Sequence, residues 1–146
     1  MIVDTTRDFL EKEIYPHEQI VEKTGEVPRE LGAEIAKKCK EIGFFAANFP
    51  EELGGGGMNH LEFTLLEREL GRGSNALTIF FGRPSGILMA CNDLQKDKYL
   101  IPAIKGEKFD ALAMTEPGAG SDVRGMNCTG RRTGGDWIVN GTKPFI

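Results

Sequence analysis

The sequence predicts a mainly α protein in which a helical bundle is followed by the first strands of a β domain, α+β overall. Three observations carry this. From Ile2 to about Gly106, apolar residues recur at helical spacing between Pro and Gly punctuation. Past Lys108 that period gives way to short apolar and alternating runs separated by Gly-Gly and Asn-Gly, which are hairpin signals. With 146 residues, 40% hydrophobic and 27% charged, the chain is long enough to bury a sizeable core.

The first helix is expected from Ile2 to about Tyr15, where Val3, Leu10 and Ile14, with Phe9 beside them, share one side; Pro16 should end it. The second opens with Pro28 at its first position, repeats Leu31, Ile35, Cys39 and Ile42, and stops at Gly43. Lys37, Lys38 and Lys40 fall in its last turn, where lysines complement the helix dipole rather than form a basic patch. Phe44 to Phe49 is apolar without a clear period. Pro50 to Gly57 is a loop whose four glycines, Gly54 to Gly57, read by composition alone as a flexible linker. Asn59 caps the next helix, with Phe63, Leu66 and Leu70 on one face and Leu61 and Leu65 alongside. Ser74 to Cys91 reads as two buried helices joined by a bend at Gly82, Pro84 and Gly86; Phe80, Phe81 and Met89 there are core or the lining of a pocket, core being the commoner use. Asn92 or Asp93 starts the last helix, where Leu94, Ile101 and Ile104 share a side and Pro102 introduces a kink before Gly106.

Asp110 to Met114, Cys128 to Arg132 and Trp137 to Val139 read as strands, with Gly134-Gly135 turning between the last two. Asn140-Gly141 is a second hairpin signal, and Ile146 is reached before its partner strand is complete. Such a sheet exposes edges and an apolar face, so the chain is expected to be part of a longer one. The expected domains are residues 1–108, helical, and residues 109–146, the opening of a β domain.

Several function classes are set aside. A net charge of −4 gives no reason to expect nucleic acid or an anionic membrane, and no apolar run is long enough to span a bilayer. Met1-Ile2-Val3-Asp4 carries no signal or transit pattern, and Cys39, Cys91 and Cys128 are odd in number and widely spaced, as reduced thiols in a cytoplasm are. His17 and His60 pair with no cysteine at a ligand spacing, so no metal is expected. Gly71-Arg72-Gly73-Ser74-Asn75-Ala76 fits the dinucleotide fingerprint, but it follows a helix and has no βαβ unit around it.

One stretch organises the rest: Met114-Thr115-Glu116-Pro117-Gly118-Ala119-Gly120-Ser121-Asp122. Pro117 fixes its own φ, while Gly118 and Gly120 are free to take positive φ, so that successive N–H groups converge on an anion. Ser121 and Thr115 add hydroxyls. A phosphate-bearing cofactor is the natural guest, and a plain turn is the competing reading. Glu116 beside a turn is more commonly exposed or capping N–H groups than a catalytic base.

Thr115 to Asp122 resembles the flavin-binding signature of the acyl-CoA dehydrogenases. Asn140-Gly141-Thr142-Lys143 followed by Phe145-Ile146 resembles its second segment, and Phe49 to Gly55 and Lys96 to Glu107 resemble the same family's N-terminal half, in the same order. The resemblance implies an orthogonal helical bundle followed by the first strands of a β-barrel-like middle domain, with Gly54 to Gly57 an inter-helix loop inside one domain. It implies α,β-dehydrogenation of an acyl-CoA thioester by FAD, in fatty acid metabolism, with electrons passing to electron-transfer flavoprotein or a similar acceptor and a tetrameric full-length parent. Relatives that keep the fold include acyl-CoA oxidases and flavin monooxygenases; a non-enzymatic helical binding module is a further alternative.

By position in the motif, Leu112, Ala113, Met114 and Thr115 would run beside the isoalloxazine ring, the Thr115 hydroxyl on its polar edge. Gly120 and Ser121 would meet the phosphates through backbone N–H, Ser121 would also face the CoA portion of the substrate, and Phe145 would pack against the flavin. Leu112 stands where an aromatic is common, and Pro144 precedes Phe145 where a proline donates no ladder bond. The family's catalytic glutamate belongs to a C-terminal helical domain that these residues do not include, so no catalytic residue is assigned and no dehydrogenase activity is expected of this chain alone.

Overall fold

Two prolines that periodicity reads as interruptions are taken up inside helices. In the computed structural model, which describes residues 1–146, helix α1 (Ile2–Phe9) runs through a π-helical turn at Leu10–Ile14 into α2 (Tyr15–Thr24), carrying Pro16 within it. The expected stop at Pro16 is therefore corrected. A proline lacks an N–H, and its ring clashes with the carbonyl four residues back; a wider turn, in which the Tyr15 N–H reaches the Leu10 carbonyl, relieves both. The device recurs at Lys96–Leu100, where the Ile101 N–H bonds the Lys96 carbonyl and Pro102 follows in α7 (Ile101–Ile104). There the carbonyl of Lys98, which Pro102 leaves without its usual donor, accepts the Lys108 ammonium at 2.7 Å.

Between them, α3 (Arg29–Glu41) follows Pro28 and buries Gly32, Ile35 and Cys39. It closes at Gly43, φ +74°, with the Phe44 N–H on the Cys39 carbonyl (2.9 Å) and the Gly43 N–H on the Lys40 carbonyl (3.1 Å), a Schellman motif. Helix α4 (His60–Leu70) is capped as expected: the Asn59 carboxamide accepts from the Leu61 and Glu62 N–H groups while Glu62 accepts from the Asn59 N–H. Short turns follow: α5 (Asn75–Thr78), 3-10 turns at Ile79–Phe81 and Gly86–Ala90, and α6 (Asp93–Gln95), capped by Asn92.

The two helices expected over Ser74 to Cys91 thus reduce to single turns, and Ile87 and Met89 are exposed. Leu61 and Leu94 are exposed too, at 69% and 83%; the face that packs is Leu66, Glu69 and Leu70 in α4 and Leu100, Ala103 and Ile104 around α7. The core joins Leu10, Ile14, Ile35, Cys39, Phe49, Leu66, Leu70, Leu77, Phe81 and Leu100, with the Phe9 and Phe81 rings edge to face at 5.1 Å.

The four glycines are not a linker. Gly55, Gly56 and Gly57 donate their N–H groups to the carbonyls of Pro50, Ala46 and Phe49, and Met58 donates to Ala47, which fastens the loop against the Phe44–Phe49 segment. A Cβ on Gly56 would lie 2.6 Å from the Gly43 carbonyl oxygen and 2.9 Å from the Ala47 Cα.

The chain divides into two compact units, Met1–Phe109 and Asp110–Ile146. In the second, β1 (Thr129–Thr133) and β2 (Asp136–Asn140) form an antiparallel pair with Thr133 opposite Asp136, turned by Gly134 at φ +62° and Gly135. Both strands are exposed along their length. Asp110 to Met114 takes no strand conformation, so the expected strand is corrected, and Asn140-Gly141 does not open a second hairpin. No helix is long and apolar enough to cross a membrane.

Candidate functional site: the Thr115–Asp122 turn and its clamp

Pro117 stands second in a tight turn closed in both directions, with the Glu116 N–H on the Ala119 carbonyl (3.0 Å) and the Ala119 N–H on that of Glu116 (3.1 Å). The expected positive φ at Gly118 and Gly120 is corrected: neither takes it, because the proline-led turn closes with ordinary backbone angles. A Cβ built on either glycine meets nothing within 4 Å. Glycine is thus required there neither by the backbone nor by neighbouring atoms of the chain, and the space beside each of the two is open. The N–H groups of Thr115, Gly118, Gly120 and Ser121 donate to no other backbone group. Gly120 and Ser121 are exposed, and Thr115 is half-buried.

Beneath the turn lies a feature the sequence reading missed. The Glu116 carboxylate is buried and accepts the N–H of Asn127 (2.6 Å), the N–H of Cys128 (2.9 Å) and the ammonium of Lys143 (2.9 Å). Lys143 also donates to the Met114 carbonyl at 2.7 Å. A hydrogen bond from the Cys128 thiol, the Asn127 N–H and the Lys143 ammonium together hold the Glu116 carboxyl down at about 2, and Glu116 in turn pushes the Cys128 thiol up. So acidic a group is a poor proton acceptor near neutral pH, which removes Glu116 as a base and leaves it as the N–H-capping carboxylate. The signal was present as opposite charges in the two motif segments, but nothing local pairs residues 27 apart.

The other expected site residues are placed as follows. Leu112, Ala113 and Met114 are exposed, with Met114 tied down through its carbonyl. Phe145 is 96% exposed and has φ +62°, a conformation bulky residues rarely take, just after Pro144, and residues 141–146 form no strand. Phe80, Phe81 and Met89 do not line one pocket. Phe81 is core, Met89 is exposed, and Phe80 borders a groove of about 460 Å³ along α3 with Val27, Ala33, Ala36 and Phe109.

Open N–H donors beside threonine and serine hydroxyls suit the oxygens of a phosphate or the polar edge of a flavin, so the donor set fits FAD. Comparison with known proteins points the same way. The family model for the acyl-CoA dehydrogenase N-terminal domain matches residues 1–107, and that for the middle domain matches residues 111–146. A 3-(aryl)acrylate reductase of Clostridium sporogenes is 40% identical over all of this chain and 39% of its own length. A caffeyl-CoA reductase–Etf complex subunit of Acetobacterium woodii is 38% identical over all of this chain and 39% of its own. The crystal structure of an acyl-CoA dehydrogenase complexed with FAD from Bacillus anthracis matches 97% of this chain and 25% of that one, with a TM-score of 0.74 and 32% identity. The chain therefore spans less than two-fifths of the length of these relatives. Over that span the matches are continuous across both units, and the chain belongs to the acyl-CoA dehydrogenase family.

Proposed function

We propose that this chain forms the flavin side of an FAD-dependent enzyme acting on the α,β C–C bond of an acyl-CoA thioester. The observation that carries the reading is the Thr115–Asp122 turn, whose N–H groups at Thr115, Gly118, Gly120 and Ser121 donate to no backbone carbonyl and whose two glycines border open space. When bound, FAD supplies the acceptor, or in reverse the donor, of the β-hydrogen. This chain's part is to bind and orient: Thr115 through its hydroxyl, with Leu112, Ala113 and Met114 beside the ring, Gly120 and Ser121 through N–H on the phosphates, Ser121 also toward the CoA portion, and Phe145 against the flavin. The base that takes the α-proton belongs to the C-terminal domain expected of the family. The enzyme would be cytoplasmic, tetrameric in its full-length form, and coupled to electron-transfer flavoprotein, a partner supported by the Etf complex named for the Acetobacterium relative.

A second reading has its own support. Two relatives with 40% and 38% identity are named as reductases, one of an aryl acrylate and one of caffeyl-CoA, so the same site would run toward saturation of a conjugated double bond. Visible spectra test both. The chain, and a version extended with the C-terminal domain of a relative, are incubated with FAD and passed through gel filtration. The extended form is expected to retain flavin absorbance. Anaerobic bleaching by a saturated acyl-CoA identifies a dehydrogenase, and recolouring of the reduced form by an aryl-acrylyl-CoA identifies a reductase. An extended form that retains no flavin overturns the proposal.

A further inference from the structure

We infer that Lys143, held in place by Glu116, is a positioning residue that aims the Met114–Thr115 peptide at the cofactor; this rests on the flavin reading above. The Lys143 ammonium lies between the Met114 carbonyl at 2.7 Å and the Glu116 carboxylate at 2.9 Å, with the Met126 sulfur at 3.5 Å. Its side chain is 23% exposed and that of Glu116 is 6% exposed, so the pair is shielded from the solvent screening that weakens surface ion pairs. A peptide unit is planar and trans, so fixing the Met114 carbonyl fixes the Thr115 N–H in the opposite direction. That N–H is unused within the chain and lies beside the Thr115 hydroxyl. An ammonium on the carbonyl also polarises the peptide and strengthens its N–H as a donor.

Glu116 anchors the assembly. Its backbone closes the turn with Ala119, while its carboxylate gathers the Asn127 and Cys128 N–H groups ahead of β1 and the ammonium that follows β2. Three separated segments thereby meet on one side chain. The pair is neutral as a whole, and each half alone is a charge beside the cofactor-facing peptide. Reduction adds electron density to a flavin, so a lone carboxylate nearby opposes it and a lone ammonium favours it.

The test uses two forms of the protein. In the 146-residue chain, the carbonyl ¹³C shift of Met114 is expected to move in Lys143→Met and to return toward its original value in Lys143→Arg. In the extended, FAD-loaded form, the flavin midpoint potential is expected to fall in Lys143→Met, rise in Glu116→Gln and stay near that of the unsubstituted protein in Lys143→Arg. Opposite signs from two substitutions that both loosen the turn are not the result of loosening alone. An unmoved Met114 shift, or potentials that stay put or move in the same direction while FAD is retained, overturns the inference and leaves the flavin reading standing. An unsubstituted extended form that takes up no FAD overturns both.

Discussion

Buried carboxylates in this chain are held by cations and N–H groups, and the one in the helical unit shows what that does for stability. Glu69 sits in α4 with its side chain almost wholly covered, accepting Arg7 from α1 through Nε (2.7 Å) and Nη2 (3.2 Å) and Arg68 through Nη2 (2.7 Å). Hydrogen bonds from Arg7 and Arg68 hold its carboxyl down at about 2, against an ordinary 4.5. A folded-state value below the unfolded one means that folding favours the charged form. The contribution is therefore complete above 4.5 and is lost as pH falls toward 2. The urea midpoint, followed by helical ellipticity, is expected to drop between about pH 6 and about pH 3. Glu69→Gln should lower the midpoint at neutral pH, because it leaves guanidinium groups without their carboxylate, and should flatten that pH dependence. An unchanged slope would show that the Arg7–Glu69 contact does not join α1 to α4.

Elements were legible where their signals are local. Asn59 and Asn92 are N-caps, Gly43 ends α3, and Gly134-Gly135 turns the hairpin, because each of these is decided by a few adjacent residues. The misreadings share a different cause. Pro16 reads as a stop because the π turn that absorbs it leaves no trace in apolar spacing, and Leu61 and Leu94 fall on or beside an apolar side yet stay exposed because periodicity marks a face without saying how wide its covering is. Within the site, the Thr115–Asp122 turn was legible and the Glu116–Lys143 pair beneath it was not, since the pair is made by the fold rather than by sequence neighbours. The glycine loop is the sharpest case: composition reads Gly54 to Gly57 as freedom, while the fold uses the missing Cβ atoms for close approach. Gly56→Ala, which drives a methyl onto backbone atoms of Gly43 and Ala47, is expected to cost about 1–3 kcal/mol in urea unfolding. Gly86→Ala, where a Cβ meets nothing within 4 Å, is expected to stay within about 0.5 kcal/mol. Equal, small effects at both positions would return the loop to the status of a linker.

At the scale of the whole molecule, the two units are held by unequal means. Met1–Phe109 encloses a continuous apolar core, whereas in Asp110–Ile146 only Glu116 and Ala119 are buried, and Trp137, Ile138 and Val139 face solvent on β2. A unit of this size cannot rely on apolar burial, so its order comes from the ladder and from the polar clamp on Glu116. Unfolding should therefore be read differently by two probes. Helical ellipticity follows the first unit, and Trp137, the single tryptophan of the chain, lies on β2 in the second and reports whether that strand is covered. Because Trp137 is 65% exposed, its emission is expected to resemble that of tryptophan in water at the outset and to stay nearly constant across the cooperative loss of helix in urea. Emission that starts blue-shifted and reddens together with the ellipticity would mean that β2 is packed in solution. In the version carrying a C-terminal domain, a blue-shifted starting emission would instead identify the strands as a surface that the rest of the enzyme covers.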